Sequence, residues 1–533
     1  MSAVAAGQGK PFVARPRSAG AAPVAADFAR FLVAADDAKA CPAGAPSAYD
    51  AGMSSIARGS GFAGLLALLL LPALAPAETP PLTTAPTLSP ADELRALKER
   101  LAALEARLGA SPQAAPTPAA AAPNAPAEPF AFGDFTWLNG NNRQSRALLD
   151  SPYLTGGLVL DTNYTFSFNQ PIDHTIVGST ITARHNELNL AMVSAGADFH
   201  HQNVRATLTL QYGSRPNLVQ SSDGTTVRGQ YNLTEVHKYI REVNFGYHFD
   251  VLHGLNIDAG IFMSYIGMFS YLSFENWSYQ TPYTADNTPW YFEGVRVQIF
   301  PTEKLKIELW IVNGWQSYSK YHETPGGGLQ FCYRPLEWLS FVSNDYFGVE
   351  TRDDPGRVRF HTDNTLQLRY LERPDSRVMS RAAVTTTINY GFEAGGAVSL
   401  DKQYYFSAML FNRFWFYRNI FAWTFGGSYV TNPGRYLVLA PPDPPTLDEA
   451  SKFKIAPGLE FSAWEFATNL DWMPNQFLTY RIEYVYRGAS VPYFNGPGGI
   501  TSPSGYVDTP VAGFQPDRTT SESRLILALL IRM

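Results

Sequence analysis

Residues 478–487 read Leu-Thr-Tyr-Arg-Ile-Glu-Tyr-Val-Tyr-Arg, a run in which large apolar side chains mostly alternate with polar ones. Successive side chains of a β-strand point to opposite faces. As a strand, this segment therefore places Tyr480 and Ile482 on one face and Arg481 and Glu483 on the other. One face of such a strand can contact hydrocarbon while the opposite face contacts water, which is typical of the wall of a membrane barrel.

The same alternation recurs along the chain from residue 130 to its end, and it predicts sixteen strands. Their predicted spans are 154–168, 187–200, 203–213, 238–250, 255–267, 290–300, 305–313, 326–334, 337–348, 358–372, 377–390, 403–416, 420–430, 460–472, 476–488 and 521–533.

The connections between these strands alternate in length. Seven are short turns, at 201–202, 251–254, 301–304, 335–336, 373–376, 417–419 and 473–475. The longer connections between them are 169–186, 214–237, 268–289, 314–325, 349–357, 391–402, 431–459 and 489–520. Outer-membrane barrels have short periplasmic turns and long external loops, whereas soluble sandwiches and propellers have no reason to sort their loops this way. We predict an all-β, antiparallel, up-and-down transmembrane barrel of about sixteen strands with both termini in the periplasm.

A barrel of this size encloses an aqueous channel, whereas eight strands would leave a lumen filled by side chains. The inward faces carry both signs of charge, which predicts weak charge selectivity. The alternative for any one of these residues is that it only solvates the wall. The pore-lining candidates are Arg205, Glu242, Asp258, Arg296, Lys306, Glu308, Arg369, Arg481, Glu483 and Arg524.

Two long connections, 268–289 and 314–325, are candidates for a loop that folds into the lumen, and the sequence leaves the choice open. Five tryptophans near the strand ends or within the strands are candidates for an aromatic belt at the membrane interfaces, and we expect some of them to be ordinary packing aromatics instead; they are Trp310, Trp415, Trp423, Trp464 and Trp472. The triplet Gly326-Gly327-Gly328 opens a strand, where missing side chains relieve crowding or curvature.

Composition excludes several other functions. A net charge of -6 without a basic block disfavours a nucleic-acid partner. The two cysteines, Cys41 and Cys332, give neither a disulfide framework nor zinc-ligand spacing. The sequence has no HExxH helix, nucleophile elbow or phosphate-binding glycine loop. We therefore predict no catalytic residue, metal or cofactor, and a protein that is not an enzyme.

The N-terminal region has the pattern of an exported protein. The apolar run 62–71 follows Arg58 and is too short to span a bilayer. Small residues at 73–77 fit a cleavage site, so we predict a signal peptide over 53–77 that begins at Met53. Residues 1–52 are then an upstream extension.

Leucines at 94, 97, 101, 104 and 108 are spaced in steps of three and four, the seam of a coiled coil. The segment 90–108 is thus predicted to be a short coiled-coil helix, the alternative being a lone charged surface helix. It lies between a linker at 78–89 and an Ala/Pro-rich, extended linker at 109–129.

Several motifs in the predicted barrel domain, 130–533, resemble the putative β-barrel porin-2, OmpL-like family. They lie at 132–141, 258–267, 287–290, 313–318, 412–416, 432–436 and 491–494. The resemblance implies an outer-membrane porin-like barrel and supplies no substrate. By analogy with porins it also favours a trimer, although the coiled coil is not part of the family's barrel.

We predict a passive diffusion channel for small hydrophilic solutes in the outer membrane of a Gram-negative bacterium. The partners expected of such a channel are outer-membrane lipid and lipopolysaccharide, the barrel-assembly machinery and other copies of the chain. Two other functions compete with this prediction. One is a structural tether that joins the outer membrane to the cell wall through 78–129, and the other is a barrel enzyme that acts on lipid or peptide.

Overall fold

The computed structural model describes residues 98–99, 127–220, 223, 231–320, 324–351, 354–396, 403–433, 461–508 and 513–533. The chain divides into two units, 1–112 and 113–533, and the barrel belongs to the second. The predicted extension, signal peptide, coiled coil and linkers lie outside the described residues, apart from helical Lys98 and Glu99 and the last three residues of the Ala/Pro linker. No helix among the described residues has the length and hydropathy needed to cross a bilayer.

Sixteen long strands form the wall in the described part of the chain. They are Leu154–Ser167 (β1), Glu187–His201 (β2), Val204–Tyr212 (β3), Ile240–Phe249 (β4), Leu255–Met263 (β5), Tyr291–Thr302 (β6), Leu305–Val312 (β7), Gly326–Leu336 (β8), Leu339–Gly348 (β9), Val358–Glu372 (β10), Arg381–Ala394 (β11), Tyr404–Phe416 (β12), Phe421–Thr431 (β13), Ser462–Asn475 (β14), Leu478–Ala489 (β15) and Ser521–Arg532 (β16).

Each strand pairs antiparallel with the next one in sequence, and the sheet closes where β16 pairs with β1. At the seam Arg524 lies opposite Ser167 and Arg532 lies opposite Val159. The predicted fold class is therefore confirmed, with every predicted strand present. The largest boundary difference is four residues, as at β5, which was predicted to end at 267 and ends at Met263.

The connections keep the predicted alternation of short and long. The longest short turn is 373–380, and the shortest long connections are 349–357 and 395–403. In the described parts of the long connections three short α-helices occur, at Ser214–Gln220 (α1), Leu233–His237 (α2) and Tyr283–Asp286 (α3).

The two faces of the wall differ as the alternation requires. On β15, Tyr480 and Ile482 are exposed on the outer face, while Arg481 and Glu483 are buried on the inner face. An outer face of this kind suits contact with lipid, and an inner face of this kind requires polar partners within the lumen.

The aromatic belt was only partly predicted. Trp423, Trp464 and Trp472 are exposed on the outer face, whereas Trp310 and Trp415 are buried on the inner face. The latter two are the packing aromatics that the prediction allowed for, because position parity decides the face of a strand residue. Trp310 has the parity of Glu308, which also points inward.

Candidate functional site

The connection 264–290, called the inner loop, leaves β5 and crosses the lumen before it returns to β6. Its tip is fully enclosed, with Ser278 and Tyr279 at 0% exposure. This loop contains the predicted inward segment 268–289. The other candidate, 314–325, instead packs at the wall over its described part, where Tyr318 stacks on Tyr291 with ring centroids 4.3 Å apart.

Carboxylates of β14 and β15 bind the backbone of the inner loop. The two oxygens of Glu483 accept hydrogen bonds from the backbone N–H groups of Tyr279 and Gln280, at 2.6 and 2.7 Å. Glu465 accepts one from the N–H of Tyr283 at 2.9 Å. A buried irregular loop must find partners for its backbone groups, and these wall carboxylates supply them.

Arginines on the same wall bind the carbonyl groups of the inner loop. Arg413 donates to the Trp277 carbonyl at 3.1 Å, and Arg481 donates to the Asn276 carbonyl at 2.8 Å. Both guanidinium groups also hold the buried carboxylate of Asp471, at 2.7 and 2.6 Å. Breaking such a network leaves buried charge unpaired, so the inner loop is fixed to the β12–β16 wall.

Hydrogen bonds to β1 complete the attachment of the inner loop, and the loop itself contains a buried acid, Asp286. Asp161 of β1 accepts hydrogen bonds from the hydroxyls of Ser273 and Tyr279, both at 2.7 Å. In α3 of the loop, burial raises the pKa of Asp286 to about 7, although the Arg487 guanidinium 3.4 Å away acts in the opposite direction.

A second connection also enters the lumen, and no pattern in the sequence predicted it. Residues 174–185, called the lid hairpin, form a small antiparallel hairpin in which Thr175 pairs with Arg184. Its tip is buried, with Ile181 at 0% exposure. Arg524 of β16 donates to the Val177 carbonyl and to the Thr182 hydroxyl, both at 2.9 Å.

A third inward element precedes β1. Residues 127–148, called the mouth segment, cross the lumen at the end of the short turns. The Trp137 indole N–H donates to the Glu337 carbonyl in the β8–β9 turn at 2.9 Å, and Arg143 donates to the Leu478 carbonyl at 2.8 Å. Between them, Asn139 accepts a hydrogen bond from the N–H of Trp277 in the inner loop at 2.8 Å.

Among the described residues, two cavities of several hundred Å³ lie beside these elements, and both extend from the short-turn half of the lumen. One, of about 320 Å³, lies along β5–β10, and the other, of about 380 Å³, lies along β16 and β1–β5. Met263, Ser270 and Tyr271 line both cavities, so they stand between the two. The described loops and the mouth segment thus leave open space away from the β12–β15 wall.

The sequence model of the putative β-barrel porin-2, OmpL-like family matches residues 153–529, more than half of the 533 residues. The chain belongs to this family. The family predicted from the sequence motifs is therefore confirmed, and the protein is a porin of the outer-membrane type. No curated protein matches the chain.

Solved structures of other porins are similar at low identity. OprB of Pseudomonas putida is 10% identical, over 72% of this chain and 94% of that chain, with a TM-score of 0.42. The anion-selective porin from Comamonas acidovorans is 8% identical, over 71% and 99%, with a TM-score of 0.41. The outer membrane channel DcaP of Acinetobacter baumannii is 9% identical, over 72% and 100%, with a TM-score of 0.40.

The predicted pore-lining residues of this porin fall into two groups. Four of them line the cavities, namely Glu242, Arg296, Lys306 and Glu308. The others contact side chains or inward elements: Asp258 pairs with Arg205 and Arg296, Arg369 lies over the Trp137 ring, and Arg481, Glu483 and Arg524 bind the loops. Their parity predicted an inner-face position, but not whether each one meets open space or protein.

Sequence reasoning missed several charged residues of the loop-binding wall. Arg413, Glu465, Asp471 and Arg487 are all buried and bound to the inner loop, to the lid hairpin or to one another. A signal was available, because each has the inward parity of its strand. No group of three or more His, Cys, Asp or Glu side chains that could hold a metal ion occurs in the described ranges.

Proposed function

We propose that this porin admits small hydrophilic solutes by passive diffusion along the β1–β10 side of its lumen. The observation that carries the proposal is the pair of polar cavities beside an inner loop that is fixed to the opposite wall. The β12–β15 side is occupied by buried ion pairs, whereas the β1–β10 side contains space lined by side chains that can replace a solute's water.

The charges along this path are matched, which supports weak charge selectivity. Lys306 Nζ lies 2.6 Å from a carboxylate oxygen of Glu308, and Arg296 lies 2.8 Å from Asp258. An ion of either sign passing these pairs meets a nearby opposite charge, so neither sign is strongly favoured.

The orientation and assembly of the porin are part of the same proposal. The short turns and both termini face the periplasm, and the long connections face outward, toward lipopolysaccharide. Copies of the chain assemble as a trimer within outer-membrane lipid after insertion by the barrel-assembly machinery. Membership of a porin family supports a transport function over a barrel enzyme, and the tether alternative depends on residues outside the described part.

The side chain of Cys332 offers a direct test of the path. It is buried on the inner face of β8 and lines the 320 Å³ cavity. We expect a small charged methanethiosulfonate reagent to reach this thiol in open channels and to lower the single-channel conductance, because the added group fills part of the cavity. The Cys332→Ser variant should conduct normally and resist the reagent. Full conductance after complete labelling of Cys332 would refute a path along β5–β10.

A further inference from the structure

Two histidines meet at the base of the lid hairpin. The ring centroids of His174 and His185 are 5.7 Å apart. The backbone N–H of His185 donates to the backbone carbonyl of His174 at 2.8 Å. His185 is 4% exposed, whereas the side chain of His174 is 41% exposed. One ring is thus enclosed where the hairpin joins the barrel, and the other closes over it.

The enclosed ring must be neutral. The backbone N–H of Ser167, the last residue of β1, donates to His185 Nδ1 at 2.9 Å. A backbone amide can only donate, so Nδ1 must carry a lone pair. Protonation of His185 places a second N–H against the Ser167 amide and breaks this attachment.

The acidic groups that face His185 already have partners. Glu522 of β16 accepts from the Ser167 hydroxyl at 2.7 Å and pairs with Arg524 at 2.5 Å. Glu187 lies 2.8 Å from Arg184 and 3.0 Å from His174 Nδ1.

A protonated His185 therefore gains little from these carboxylates. Burial and the neighbouring His174 together lower the pKa of His185 below its ordinary value of 6.5, although Glu522 and Glu187 act in the opposite direction.

The tip of the same hairpin covers the inner loop. The Thr180 hydroxyl donates to Asp286 of α3 at 2.6 Å, and the Ser179 hydroxyl donates to Gln280 at 3.1 Å. The base and the tip are linked by the short hairpin ladder, in which the Ile176 N–H donates to the Ala183 carbonyl at 3.1 Å. Loss of the base attachment therefore loosens the element that overlies the inner loop.

We propose that the His174–His185 pair is an acid-sensitive latch, and that protonation of His185 releases the lid hairpin and opens the long-connection end of the lumen. This regulation rests on the proposed channel function. The stimulus is the proton itself, and the attachment that it breaks is the hydrogen bond from the Ser167 backbone amide to His185.

The direction of the pH effect follows from the difference between the pKa of His185 in the released hairpin and its pKa in the closed hairpin. The released hairpin binds a proton near the ordinary value of 6.5, and the closed hairpin resists it. The contribution of His185 to closure is therefore complete above 6.5 and is lost as the pH falls below it. Asp286 acts oppositely, because its raised pKa of about 7 makes acid favour the closed state.

The experiment separates the pH response of His185 from the opposite response of Asp286. Planar-bilayer currents are compared at about pH 7.5 and about pH 5 for Asp286→Asn and for Asp286→Asn/His185→Gln. The glutamine oxygen can still accept from Ser167 but does not titrate. We expect acid to raise the current of the first variant. The ratio of open to closed channels should rise by up to about tenfold for each unit by which the pKa of His185 differs between the released and closed hairpin. The second variant should show no such increase.

A control and a second readout make the outcomes distinct. His248 lies at the short-turn end, with Nδ1 2.7 Å from Asn256 Oδ1, so Asp286→Asn/His248→Gln should keep the acid response. Hydrogen exchange at the Ile176 and His185 amides of Asp286→Asn, corrected for intrinsic rates, should accelerate in acid.

Three outcomes decide between the latch and the channel. If acid accelerates exchange at the Ile176 and His185 amides but no variant carries current, the channel is refuted and the acid release of the hairpin stands. Unchanged exchange, or an acid response that survives His185→Gln, would overturn the latch.

Discussion

At the scale of single residues, a missing side chain can matter as much as one that is present. A Cβ atom on Gly328, at the start of β8, would overlap the Tyr265 hydroxyl, which donates to the Asp345 carbonyl at 2.8 Å. A Cβ atom on the adjacent Gly327 would have only the Phe347 carbonyl nearby, at 3.9 Å. The crowding predicted for this glycine triplet is therefore confirmed at Gly328, and also at Gly326, where a Cβ atom would overlap the Tyr346 hydroxyl, but not at Gly327.

This difference makes a matched pair of substitutions. Gly328→Ala should displace Tyr265 and cost about 1–3 kcal/mol of folding free energy, the usual range for overpacking. Gly327→Ala should be close to neutral. The stability of each variant is measured as the temperature at which its electrophoretic mobility changes from that of the folded to that of the unfolded chain in detergent. Equal stability of the two would show that Tyr265 is not confined as described.

The tryptophans teach a related lesson. Trp310 is a candidate for the membrane interface by residue type and by its place in a strand, yet it lies inside, with its ring 4.8 Å from that of Tyr265. Parity with Lys306 and Glu308 already indicated the inner face. For a strand residue in a barrel, position is a stronger signal than residue type.

At the scale of elements, the strands could be predicted from sequence because their signal is local. A period of two over ten residues is sufficient to define a strand and both of its faces. The placement of the inward elements is not local, since Tyr279 binds Glu483, some 200 residues further along the chain. The sequence named 268–289 as one of two candidate inward loops and left the choice open, and nothing in the pattern identified the lid hairpin or the mouth segment.

The attachment of the inner loop gives a prediction at this scale. Glu483→Gln replaces one of the two accepting oxygens with an amide N–H, which opposes a backbone N–H of the loop. We expect a loss of about 1–3 kcal/mol, the cost of an unsatisfied buried group, together with noisier single-channel currents as the loop moves.

Glu242→Gln is the control for this substitution. Glu242 lines the 380 Å³ cavity, and its charged partner is Arg241 at 3.5 Å rather than the inner loop. The control should keep the stability and the current noise of the parent while shifting its ion selectivity slightly. If Glu483→Gln behaves in the same way, Glu483 is not what fixes the loop.

At the scale of the whole molecule, a closed sheet provides the wall and the connections decide how much of the lumen stays open. Strand count alone predicted a water-filled channel, because sixteen strands enclose more space than side chains can fill. In the structure the inner loop, the lid hairpin and the mouth segment occupy much of that space, and the two cavities remain beside them. The proposed path therefore lies on one side of the barrel and not at its centre.

Single-channel conductance in a planar bilayer, with protein extracted from outer membranes and shown to be heat-modifiable, is the decisive test of the proposed channel. We expect discrete, ohmic steps with weak selectivity between anions and cations, because the charges beside the cavities are paired. A correctly folded barrel that conducts nothing at either neutral or acidic pH would refute the channel.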